Sequence, residues 1–162
     1  MQPDPSSGQE IMPDKPEALA TAHRNAQRMG WILCGLWPGV LAALLLGGVV
    51  RPGTNRVEGV YQQLGYLFTG LVFLSAAWVW WRSGRVLGEL KTLPQGQRPA
   101  VVFRECLLYA VVFETSSLCG LIYWSLVGPH AARHAWGFLL LTPMLFLALV
   151  PGLDRWRKAA EG

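Results

Sequence analysis

Four apolar runs, each long enough to cross the hydrocarbon layer of a bilayer, govern what this chain can fold into. They are Trp31 to Val50, Tyr61 to Trp81, Leu107 to Val127 and Ala135 to Gly152, and only the third holds a charged side chain, Glu114. A helix of twenty residues is about 30 Å long, which matches the thickness of that layer. Lipid offers no hydrogen bonds, so each run must satisfy its backbone internally, as a helix does. The runs therefore predict an all-α fold: an integral membrane four-helix bundle. Only 15% of the 162 residues are charged, against about 25% in soluble domains, and nearly all of them lie between the runs.

The segments between the runs orient the bundle. Lys15, Arg24 and Arg28 precede the first run. Arg82, Arg85, Lys91, Arg98 and Arg104 fill the central loop, and Arg155, Arg157 and Lys158 follow the last run. Only Arg51, Arg56 and Arg133 lie on the other side. The positive-inside rule then places both termini and the central loop in the cytoplasm, and a bacterial cytoplasmic membrane is the expected location. The net charge of +4 is explained by these flanks. No basic stripe on a folded domain points to nucleic acid. Cys34, Cys106 and Cys119 have no metal-like spacing and form no disulfide framework. The first thirty residues carry Asp4, Glu10, Asp14 and Glu17 without an apolar core, so the first run reads as a retained anchor, not a cleaved signal.

Along the chain, residues 1–13 are rich in Pro, Ser, Gly and Gln and read as a disordered tail. Asp14 and Glu17 have the spacing of a capping box, which predicts a short polar cytoplasmic helix over 14–30. The transmembrane domain covers 31–152, with spans at 31–50, 61–81, 107–127 and 135–152. A cytoplasmic tail, 153–162, carries Asp154-Arg155-Trp156-Arg157-Lys158 and reads as an aromatic–basic anchor at the interface. Both outer loops are short, so spans one and two should form one hairpin and spans three and four another. Pro38 should kink the first span, because it removes a backbone donor. Gly35 and Gly39 form a Gly-x-x-x-Gly pair that lets a second helix approach closely.

Glu114 is the side chain that asks for a chemical reason. A charged carboxylate in hydrocarbon costs several kcal/mol, so it goes neutral, finds a partner or faces a wet cavity. Thr115, Ser116 and Ser117 follow it, and this polar patch should face other helices instead of lipid. Glu114, with Thr115 and Ser117, is thus a candidate proton- or cation-binding site. A neutral Glu114 that fixes helix packing accounts for the same residues. So does a third span that starts later, with Val101–Glu105 along the interface. His130 and His134 have ligand spacing but no third partner, and they read as loop histidines. No catalytic constellation, phosphate-binding loop or metal cluster is present, so no cofactor is expected.

The stretch Gln97-Arg98-Pro99 through Glu114 to Gly120-Leu121 resembles part of the proteolipid subunit of rotary ATP synthase rings. The resemblance covers about a quarter of the chain. It implies a basic, proline-containing cytoplasmic loop at Arg98-Pro99 and an ion-binding carboxylate at Glu114. Three expectations follow. The first is a non-enzymatic subunit or assembly factor, packing on other membrane subunits or on itself. The second is a proton- or cation-translocating component that uses Glu114. The third is a small-solute transporter or membrane-embedded enzyme.

Overall fold

The computed structural model describes residues 15–54, 58–129 and 132–161. The expected N-terminal tail, Asp14 of the expected cap and His130 lie outside them. Among the described residues all regular structure is helical: α1 (Lys15–Trp31), α2 (Trp37–Leu46), α3 (Glu58–Glu89), α4 (Arg98–Val127), α5 (Ala132–Leu149) and α6 (Leu153–Glu161). Four stretches are long and apolar enough to cross a membrane: Glu17–Leu46, Gly59–Thr92, Arg98–Val127 and Ala132–Glu161. The last three contain the apolar runs read from the sequence, and the first covers 31–46 of its run, with 47–50 lying outside the helix.

The polar helix expected before the first run is not separate from it. One buried stripe runs along α1 and α2: Leu19, His23, Ala26, Gly30, Cys34, Pro38, Leu41 and Leu45. Between Ala26 and Pro38 three steps of four residues follow one another, and an ordinary helix would rotate such a stripe off its face. A π-helical turn at Ile32–Leu36 absorbs the excess, with the Trp37 N–H reaching back five residues to the Ile32 carbonyl. The disturbance expected at Pro38 therefore takes the form of a wide turn, and Pro38 itself stays buried.

Helix α4 is the centre of the molecule. Half of its apolar window is buried (50%), against 11% for the window of α3. Helices α1, α3 and α5 all pack on it, whereas the α1–α2 unit and α3 make little contact with each other. This corrects the expected pairing of spans one and two. Those spans are joined in sequence, but their partner in space is α4. Small residues permit the tightest of these contacts. A Cβ on Gly120 would lie 2.9 Å from the Ala135 carbonyl of α5, and a Cβ on Gly30 would enter the Phe146 ring.

Two loops meet at one end of the bundle. The Gly53 N–H bonds to the Trp124 carbonyl at 3.1 Å, and so does the Gly128 N–H at 2.9 Å. Gly128 has φ +84° and its α-carbon faces the Gly53 carbonyl, so neither the backbone angle nor the space admits a side chain.

At the other end the structure departs from the expected anchor tail. Residues Leu153–Glu161 form α6, which packs on the bundle, and Trp156 is fully buried. It packs in a cluster with Leu19, Ala26, Leu90, Val102 and Cys106. Its indole N–H donates to the Pro151 carbonyl at 3.0 Å, and His23 Nε2 lies 3.3 Å from the same oxygen. Arg98 ties this end together, donating to the carbonyls of Leu93, Lys91 and Ala160.

Candidate functional site

The polar side chains of α4 fall at separate levels along the helix. Nearest its start is Glu105, 1% exposed. Arg82 of α3 grips it with two parallel bonds, Nε to Oε2 at 2.7 Å and Nη2 to Oε1 at 2.8 Å. Arg104 Nη2 adds a third contact to Oε1 at 3.3 Å. A buried carboxylate is tolerated when it is paired and hydrogen-bonded in this way, and the forked geometry of arginine suits it. The guanidinium of Arg82 also lies over the Trp78 ring, 5.3 Å from its centroid.

This pair escapes a reading by apolar runs alone. Residues 98–105 carry Arg98, Arg104 and Glu105 and look like loop, yet α4 begins at Arg98. Pro99 sits in its first turn, where the missing N–H costs nothing. Val101–Glu105 belong to α4 itself, and Val102 and Glu105 are buried inside the bundle. Val102, Cys106, Tyr109 and Phe113 keep helical spacing, and that periodicity is the sequence signal for the earlier start.

Glu114 lies further along α4. Both of its carboxyl oxygens are buried and neither has a hydrogen-bond partner. One turn back from it on α4, the Ala110 carbonyl accepts from the Cys34 thiol of the α1–α2 unit at 3.3 Å.

The other expected members of the Glu114 patch point elsewhere. Thr115 donates to the Val112 carbonyl of its own helix at 2.7 Å and borders a groove toward α3. Ser117 is fully buried and pairs with Thr142 of α5 at 2.8 Å. Ser116, which the sequence reading placed only in the patch, donates to the Phe138 carbonyl at 2.8 Å. Ser116 and Ser117 therefore bond α4 to α5.

Gly35 and Gly39 lie away from the packed stripe. A Cβ on Gly39 would meet nothing, and one on Gly35 would meet only Trp31 of the same helical unit. The neighbouring side chains Ile32, Leu36 and Val40 are exposed. His134 packs beside Tyr123, with ring centroids 5.8 Å apart. Among the described residues no group of three or more His, Cys, Asp or Glu side chains is placed to hold a metal ion.

Comparison with known proteins finds no matching family, no matching curated protein and no matching solved structure.

Proposed function

We propose that this protein is a non-enzymatic multi-pass membrane protein that serves as a subunit or assembly factor of a membrane complex, docking a partner helix against Gly35 and Gly39. The observation that carries this reading is the outward face at those two glycines. Among the described residues no other helix lies against it: a Cβ on Gly39 would meet nothing, one on Gly35 only Trp31 of the same helical unit, and exposed Ile32, Leu36 and Val40 flank them. Small residues at this spacing let two helices approach until backbones touch, and that contact drives association where water cannot. The internal polar groups support the same view. Ser116, Ser117, Thr142 and Glu105 are spent on holding helices together, not on a shared pocket. In this reading the termini and the basic Arg82–Arg104 segment lie in the cytoplasm of a bacterial cell.

The test is purification in mild detergent. A second chain, identical or different, should accompany the protein in fixed ratio, and G35I/G39I should lose it while keeping helical content. If the doubly substituted chain retains its partner, this face is not the docking surface.

A second reading rests on one specific observation, the two unpartnered oxygens of Glu114. A carboxyl of this kind is a proton or cation carrier in the rotor-ring proteolipids that residues 97–121 resemble. Labelling of Glu114 by a hydrophobic carbodiimide, which reacts with the protonated acid, should rise as pH falls. E114Q should then abolish ion flux in vesicles and leave the fold intact. Flux that is equal with and without the carboxyl would leave Glu114 a packing residue.

A further inference from the structure

Two concavities lie between α3 and α4, and Trp81 lines both. The first, about 360 Å³, is bordered by Arg82, Arg85 and Arg104 together with Glu89 and Glu105. The second, about 690 Å³, is an apolar groove bordered by Leu74, Ala77, Trp78, Val112 and Thr115. The two share Trp81 and adjoin along the α3–α4 contact.

Charge and geometry both suit an anion in the first space. Three guanidiniums face two carboxylates, so positive charge is in surplus. Arg82 spends Nε and Nη2 on Glu105 and keeps Nη1 free. The Arg104 side chain is 71% exposed and uses only one nitrogen on the same carboxylate. The Arg85 guanidinium lies over Trp81, with its Cζ 4.3 Å from the ring centroid. These donors are held in place before any ligand arrives, by the buried Glu105 and the indole. Oriented guanidiniums of this kind match the oxygens of a phosphate. A soluble phosphate would need only this cavity. The adjoining apolar groove gives the ligand a tail, and the neighbouring indoles are side chains that favour the headgroup level of a bilayer.

We propose that the cavity and the groove together bind one anionic phospholipid, with its phosphate against Arg85 and Arg104 and an acyl chain along Trp78 and Val112. This rests on the membrane reading of the four apolar helices. Basic clusters beside a span attract anionic lipid at the cytoplasmic surface, and here a shaped site selects the headgroup.

The test uses the full chain purified in mild detergent, titrated with phosphatidylglycerol or phosphatidylcholine of the same acyl chains and read by native mass spectrometry. Phosphatidylglycerol should be retained at roughly tenfold lower concentration. R85Q/R104Q, at two exposed positions, should erase that preference, bringing phosphatidylglycerol retention down to that of phosphatidylcholine in the same variant. A77W, which fills the groove, should weaken both. Equal retention of the two lipids, or an unchanged preference in R85Q/R104Q, overturns the proposal. So does displacement by glycerol phosphate at the same concentration, which would make the ligand a soluble phosphate. A chain that needs detergent yet ignores the headgroup loses only this lipid site. A chain recovered soluble without detergent loses the membrane reading as well.

Discussion

Two carboxyl groups on α4 meet the cost of burial differently: Glu105 is gripped by Arg82 and Arg104, whereas neither oxygen of Glu114 has a hydrogen-bond partner. Removing Arg82 would strand a carboxylate that is 1% exposed. Breaking a fully buried pair costs about 3–5 kcal/mol. The Arg82 side chain is 33% exposed, so water screens part of that cost, and R82M should lose roughly 2–3 kcal/mol. R82M/E105M should recover most of the loss, because no orphan charge is left behind. Thermal unfolding in detergent measures both, and a single variant as stable as the parent would mean the pair carries no weight. Of these two acids only Glu114 stood out in the sequence, because it interrupts an apolar run. Glu105 sits among other charges, and its partner lies on another helix.

The four long helices were legible as uninterrupted apolar runs, since lipid-length hydrophobicity is a local property of sequence. Their ends and their neighbours were not, because both depend on tertiary contact. Helix α4 extends back to Arg98 because Val102 and Cys106 pack against Trp156 of α6. The α1–α2 unit turns to α4 and α5 because Gly30 leaves room for Phe146. That contact can be tested by crowding it. G30A places a methyl group inside the volume of a buried ring and should cost roughly 1–3 kcal/mol. F146L in the same chain should return part of it by vacating the space. If G30A melts at the parent temperature, α5 does not approach α1 as closely as described.

For the whole molecule, stability is divided between the two ends and the centre. The end that holds α6 depends on one large side chain, Trp156, closing over buried residues of α1, α4 and the turn after α3. W156A should cost roughly 3–5 kcal/mol, and protease cleavage should begin in the α6 segment before it reaches α4. Uniform cleavage along the chain would show that α6 is not a separate clasp. The wide turn at Ile32–Leu36 bears on both ends at once. Excise one residue between Gly30 and Cys34 and the inward positions of the first long helix fall into alternating steps of four and three, the arithmetic of a seven-residue repeat. The chain thus carries a supernumerary residue in an otherwise regular heptad pattern. The loosened winding that houses it keeps His23 and Leu45, at opposite extremes of one rod, in phase with the same neighbours.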